Sequence, residues 1–295
     1  MKLYAPDYYK KFSCIADRCA HSCCVGWEIG VDRETLRKYR LLPDGDGLLR
    51  HITEREGEYS VTLSDGERCP FLCDSGLCCI ISERGDSMIP EICREHPRFY
   101  TRVEDRIETG LGAVCEEACR LILTEEIPSF IYIGERETFA DGTDFPSRDR
   151  DAALDILRVG ALTYREAMSR ICDGLSIDEG ALDPKGYADC LSELELMNNE
   201  DRALILKDGR TPHAEEYLRR FLAYLISRHG AAAEDRQDLR GRIGFSILLT
   251  RILEGACAEL DSESDVIDAA RIISQEIEYS EENTEALLLE IGCNI

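Results

Sequence analysis

Apolar residues recur with helical spacing through the second half of the chain. Leu154, Leu157, Leu162 and Met168 follow that period in a segment led in by Asp149 and Asp151, acidic residues that suit the first turn of a helix. The same spacing predicts helices over 187–206 and 215–228, the latter placing Leu218, Phe221, Leu222 and Leu225 on one buried stripe. Residues 243–260 are apolar on most sides and predict a central helix, while 265–278 and 284–291 complete a bundle. Such Leu, Met and aromatic stripes are ordinarily core.

The first half breaks into shorter elements. Asp32 stands where a carboxylate caps a helix running through Glu34, Leu36 and Tyr39 and ending before Pro43. Tyr59, Val61 and Leu63 alternate ahead of Asp65-Gly66, a hairpin signal leading into Cys69. Pro90 opens a helical turn that carries Cys93 and closes at Pro97, and Glu116 and Glu117 start a helix through Cys119 to Leu123. The stretch from Gly134 to Arg150 is rich in turn formers. The fold expected is mainly α: a cysteine-rich, metal- or cluster-binding region over 1–125 with short helices and a small hairpin, a linker over 126–150, and an acidic α-helical domain over 151–295.

Length agrees with this division, since 295 residues leave room for about two domains at roughly 150 residues each. Charge sharpens it. The net charge is −24, from 35 basic and 59 acidic residues. Residues 1–125 carry only −6 of it and residues 126–295 carry −18. Phosphate backbones and anionic lipid surfaces are repelled by such a molecule, so neither nucleic acid nor membrane is an expected partner. The first residues hold no apolar core of a signal peptide, and no run of apolar residues is long enough to span a bilayer. A cytoplasmic location is therefore expected.

Cysteine changes the picture most. There are 15, and eleven fall between positions 14 and 119. Two explanations compete, a disulfide framework and a thiolate site for metal. An odd total and two adjacent pairs, Cys23-Cys24 and Cys78-Cys79, favour thiolates, which are the soft ligands of zinc, copper(I) and iron–sulfur clusters. The groups run Cys14, Cys19, Cys23, Cys24; then Cys69, Cys73, Cys78, Cys79; then Cys93; then Cys115, Cys119. These spacings miss the templates of zinc fingers, ferredoxins and radical enzymes, and leave the metal open. Cys172, Cys190, Cys257 and Cys293 are expected as core residues of the helical half.

Other candidate chemistry is sparser. His21 and His96 lie near the cysteines and read as surface or packing residues. Gly110-Leu111-Gly112 is too short to be a phosphate loop. Glu28, Asp32, Glu91 and Glu117 are carboxylates near the cysteine groups, and caps or exposed charges are the simpler account of them. Arg94 and Arg98 sit one helical turn apart beside Cys93, where guanidinium groups can bind a cofactor carboxylate or balance thiolate charge.

The string FSCIADRCAHSCCVGWEIGVDRETLRKY resembles the N-terminal signature of flagellin lysine-N-methylases. CPFLCDSGLCCI, ICREHPR and VCEEACRLIL follow in that family's order, and SQEIEYSEENTEALL is similar to a C-terminal family segment. The resemblance covers residues 8–124 with patches downstream. A broader group of zinc- or iron-chelating proteins shares only the cysteine skeleton, and Gly26-Trp27 and Glu117-Ala118 favour the methylases. The resemblance implies an enzyme, a protein-lysine N-methyltransferase that carries methyl groups from S-adenosylmethionine to lysine side chains of flagellin. It also implies an iron–sulfur cluster of the four-iron four-sulfur kind, with zinc the alternative. Cys14, Cys19, Cys23, Cys24, Cys69, Cys78, Cys93 and Cys115 occupy family positions. Cys73, Cys79 and Cys119 look like additions, read as small buried hydrophobes or spare thiols. His96 stands where the family has an aromatic residue, Glu116 replaces a proline, and the downstream region is short. A zinc- or iron-chelating protein without methylase activity is the alternative function.

Overall fold

The computed structural model, which describes residues 1–137, 141–211 and 213–295, begins with a strand, β1 (Lys2–Pro6). The chain then leaves that strand's sheet for a long excursion. Ser13–Arg98 form one compact unit, and Met1–Phe12 belong with Phe99–Ile295 to a second. The division thus falls at 12/13 and 98/99, whereas the expected joint was 126–150.

Within Ser13–Arg98 the elements are α1 (Arg33–Leu41), α2 (Asp46–Leu49), the antiparallel pair β2 (Ile52–Arg55) and β3 (Glu58–Val61), α3 (Cys79–Arg84) and α4 (Glu91–Glu95). Their core gathers Ile29, Val31, Leu36, Tyr39, Phe71 and Ile80. Asp32 caps α1 as its sequence position requires: Oδ1 accepts from Thr35 N at 2.9 Å and Oδ2 from Thr35 Oγ1 at 2.7 Å. The same carboxylate takes the Glu91 amide at 2.9 Å, so one side chain holds the starts of α1 and α4. Asp32→Ala is expected to lower stability by about 1–2 kcal/mol, as capping losses do, measured by urea unfolding. The hairpin differs from expectation. Tyr59 and Val61 form its second strand, and the reversal is at Glu56-Gly57, both at positive φ (53° and 89°), the backbone that suits a two-residue hairpin. Asp65-Gly66 makes a separate tight turn closed by Ser64 N donating to Arg68 O at 2.8 Å.

Returning from the excursion, the chain builds β4 (Arg98–Val103), β5 (Arg106–Leu111), α5 (Glu116–Thr124), β6 (Phe130–Glu135) and β7 (Gly142–Thr143). The five-stranded sheet runs β6-β1-β5-β4-β7, with β1 parallel to β5 and antiparallel to β6, and β4 parallel to β7. Part of the expected linker therefore lies in the sheet. Phe130, Ile131, Tyr132 and Ile133 favour a strand, and Gly142 lets β7 approach closely, since a Cβ there would meet Arg102 O at 2.0 Å. Residues 138–140 of that linker lie outside the described residues.

Helices supply the rest: α6 (Arg148–Arg158), α7 (Tyr164–Leu175), α8 (Ala188–Glu193), α9 (Arg202–Ile205), α10 (Glu215–His229), α11 (Arg236–Ala256), α12 (Glu263–Ile273) and α13 (Glu281–Asn294). The fold is mainly α, with α10 and α11 at its centre, where Phe221, Leu222, Phe245 and Leu249 are fully buried. The helix expected over 187–206 is broken between α8 and α9. Side chains from the C-terminal region take the backbone there: Glu276 accepts from Met197 N at 2.6 Å, and Asn283 bonds both Glu195 N and Glu195 O. Of the four downstream cysteines, Cys172 and Cys257 are buried as expected. Cys190 is half-buried and packs against the same core, whereas Cys293, near the end of α13, is exposed. No helix among the described residues is long and apolar enough to cross a membrane.

Candidate functional site

The thiols of Ser13–Arg98 fall into two groups. Cys24, Cys69, Cys78 and Cys93 all border that unit's apolar core and lie within electrostatic reach of one another. Burial drives the Cys93 thiol up to about 12 and the Cys69 thiol to about 11, with neighbouring cysteines adding to both shifts. Cys24 goes the other way, to about 6. A hydrogen bond from Cys23 lowers it first, against burial, helped by Ser22 and the charge of Arg68. The backbone brings these residues together, since Cys69 N donates to Cys24 O at 2.8 Å and Leu72 bridges Cys78. Cys93 is carried in by α4, as Pro90 predicted.

Cys14, Cys19 and Cys23 lie outward of this quartet, exposed or half-exposed. Cys115 belongs to the other unit, where it precedes α5 close to Cys119 and Tyr279. The eight cysteines that the resemblance singles out thus divide: four border one apolar core, three line a surface segment, and one lies in the other unit. Cys73 and Cys79, read from sequence as packing residues or spare thiols, are joined in a disulfide with Cα atoms 5.8 Å apart. The turn that pairs them is closed by Cys73 N donating to Leu77 O at 2.9 Å. Cys119 does pack as a buried small residue, with no solvent exposure.

Among the described residues, no three His, Cys, Asp or Glu side chains are set as closely as the ligands of a bound ion. The donor chemistry of the quartet nonetheless fits a soft metal or an iron–sulfur cluster, which takes four thiolates from an apolar surround. Cys24, Cys69, Cys78 and Cys93 are the residues that would hold it.

Several of the other sequence candidates have structural partners. Arg94 and Arg98 donate to the carbonyls of Ile89 and Arg94, each at 3.5 Å. Asp32 is a cap, and Glu117 holds Arg120 through two bonds of 2.7 Å. Burial, with Arg98 nearby, lowers His96 to about 4, as suits a packing histidine.

Sequence reasoning missed a concentrated set of buried ionisable groups in the unit of Met1–Phe12 and Phe99–Ile295. After α12 the chain widens into a π-helical turn, Ser274–Glu278, a feature frequent at functional sites. Its last residue, Glu278, accepts from Tyr224 OH (2.7 Å), Ser274 Oγ (2.5 Å) and Arg228 Nε (3.2 Å), and His229 Nε2 is 3.1 Å away. Burial alone would raise the Glu278 carboxyl, but Arg228, His229 and Ser274 hold it down at about 2. Arg228 lies 4.7 Å from the Phe99 ring centre and 4.4 Å from that of Tyr279, and burial lowers His229. The strand end fits tightly against this group: a Cβ at Gly112 would come within 1.7 Å of Tyr279 OH. Gly112→Ala is therefore expected to destabilise the protein by about 1–3 kcal/mol, the usual cost of overpacking, seen as a lower thermal midpoint. The one sequence signal was SQEIEYSEENTEALL, which contains Ser274, Glu278 and Tyr279 and whose polar letters suggest a solvated face.

Comparison with known proteins gives three relatives. The chain is 26% identical over 144 residues to the flagellar biosynthetic protein FliU of Salmonella muenchen, covering 46% of this chain and 83% of that protein. It is 25% identical over 158 residues to the lysine-N-methylases of Salmonella typhimurium and Salmonella choleraesuis, covering 49% of this chain and 39% of each of theirs. The match thus spans about two-fifths of the length of those lysine-N-methylases. No family model matches the chain, and no solved structure does.

Proposed function

We propose that this chain is a protein-lysine N-methyltransferase of the cytoplasm, with flagellin as its substrate, S-adenosylmethionine as methyl donor, and an iron–sulfur cluster held by Cys24, Cys69, Cys78 and Cys93. The observation that carries this reading is that those four thiols border one apolar core within electrostatic reach of one another, in a chain 25% identical to a lysine-N-methylase across 49% of its residues. Bound there, a cluster supplies a rigid cross-link for residues 13–98 and a centre that can take up an electron. Arg68 is placed to offset thiolate charge, since its guanidinium donates to Leu72 O and Cys73 O at 3.2 and 3.0 Å and lowers the nearby Cys24 thiol. A lysine amine must be neutral to accept a methyl group, and its ordinary pKa is about 10.4. The excess of carboxylates over 126–295 favours approach of a lysine-bearing partner.

A second reading, a zinc- or iron-chelating protein without methylase activity, draws on the same four thiols. One experiment separates the two. Anaerobically purified protein is assayed for iron, zinc and acid-labile sulfide, then incubated with flagellin and isotope-labelled S-adenosylmethionine, and lysine masses are read. Iron with sulfide and labelled methyl-lysine is the expected result. Metal without methylation selects the second reading, and protein lacking both iron and sulfide sinks the cluster.

A further inference from the structure

A cavity of about 420 Å³ opens in the unit of Met1–Phe12 and Phe99–Ile295, between one face of the sheet and α6. Its lining is at odds with its position. The two-residue period of strands puts Lys2 and Tyr4 of β1 on the face that carries Arg106 and Glu108 of β5, and the register sets Lys2 opposite Arg106 and Tyr4 opposite Glu108. Across from them α6 presents Arg150, Asp151 and Arg158. A sheet face covered by a helix ordinarily buries apolar side chains, and this one buries ions. Glu108 and Arg150 are 3% and 2% exposed and share hydrogen bonds of 2.8 and 3.0 Å. Arg106 Nε donates to the same carboxylate at 2.8 Å, and Arg150 reaches Asp151 at 2.7 Å.

Ion pairs at that depth recover little of their desolvation cost, so an apolar floor would stabilise the fold at least as well. The floor is also matched internally, Arg106 and Arg150 against Glu108 and Asp151. At the exposed rim stand Lys2 and Asp105, together with Arg158, whose guanidinium also holds Asp155 at 2.7 Å and donates to Pro128 O. Tyr4 and Phe130 supply aromatic surface beside them. Lys2 and Arg158 on one rim, in a chain of net charge −24, suit the anionic end of a ligand, and Asp105 suits its cationic end.

We infer that this cavity binds a zwitterionic small molecule of the amino-acid type, its carboxylate toward Lys2 and Arg158, its ammonium toward Asp105, and its remaining body against Tyr4 and Phe130. The volume lies within the roughly 300–1,000 Å³ of small-molecule sites and leaves room for a nucleoside. Under the methyl-transfer reading, on which this identification rests, the ligand is S-adenosylmethionine.

The test is calorimetric titration of the full chain with S-adenosylhomocysteine, which cannot react, and with methionine, adenosine and ATP. Saturable binding of S-adenosylhomocysteine is expected, with methionine weaker. Lys2→Gln and Arg158→Gln are each expected to weaken it roughly tenfold, the scale of one charge-assisted hydrogen bond, while far-ultraviolet spectra stay native. The inference is overturned if the parent chain does not bind, if ATP binds more tightly than S-adenosylhomocysteine, or if both variants bind like the parent. A chain that binds S-adenosylhomocysteine with this sensitivity but leaves flagellin unmethylated keeps the site and rejects the methylase reading. A chain that methylates while both variants bind normally keeps that reading and rejects the site.

Discussion

Glu278→Leu is expected to cost the protein about 3–5 kcal/mol of stability, as removal of one partner from a buried ion pair does, and to lower the urea midpoint accordingly. The loss exceeds that of a few contacts because Arg228 keeps its charge, while Tyr224, Ser274 and His229 lose the acceptor they share. Glu278→Gln restores an acceptor without the charge and is expected to fall between leucine and the parent. The acid limb of the stability curve carries the same information. The Glu278 carboxyl is held at about 2 in the fold, below its ordinary 4.5. It therefore contributes stability that is present above about pH 4.5 and lost as the pH falls toward 2, about 3 kcal/mol in all. His229, lowered from 6.5 by burial, acts in the same sense: the unfolded chain takes its proton first, so stability declines as the pH falls below 6.5. Urea midpoints measured between pH 7 and pH 3 should fall throughout for the parent and flatten at the acid end for Glu278→Leu.

Serine in place of Cys69 or Cys93 is expected to strip most of the bound iron and to abolish methylation of flagellin with it. Both thiols stand at the unit's apolar core, where serine has neither the softness to bind iron nor a partner for its hydroxyl. Cys172→Ser and Cys257→Ser, among the downstream helices, are the controls and should keep iron at the parent level. Cys14, Cys19, Cys23 and Cys115 decide how far the ligand set extends. If Cys14→Ser empties the site as fully as Cys69→Ser, the outer segment closes over the cluster, and a quartet of Cys24, Cys69, Cys78 and Cys93 is too narrow a description. Iron and acid-labile sulfide per chain are the readouts, and circular dichroism shows whether each variant folds.

What the sequence made legible was local. Asp32, Pro90 and Glu116 mark helix starts because capping and fixed φ act within one turn of chain, and α1, α4 and α5 begin beside them. The apolar stripe over 215–228 foretold α10 for the same reason. Distant pairing was hidden. Nothing near Lys2–Pro6 indicates that its partner is Arg106 and the residues after it, so the sheet was missed and β6 and β7 were read as linker. Residues 187–206 have helical period, yet Glu276 and Asn283 bond the backbone at 195–197 and end the helix. The thiols were visible as a count, and their grouping was not. Spacing cannot show that Cys24 meets Cys69 across a backbone hydrogen bond, nor that Cys73 and Cys79 are joined. Glu278 was hardest of all, since a glutamate in a helical run looks solvated until its neighbours are known.

The excursion of Ser13–Arg98 between β1 and the rest of its sheet bears on the speed of folding. Pairing Lys2 with Arg106 closes a loop of about a hundred residues, and closure entropy grows with the logarithm of the open length. Once residues 13–98 have condensed on their own core, the open chain shortens roughly sixfold, which lowers that entropic barrier by about 1.5 kcal/mol. A lesion among the cysteines of residues 13–98 is thus expected to delay the pairing of β1, read as a slower refolding phase.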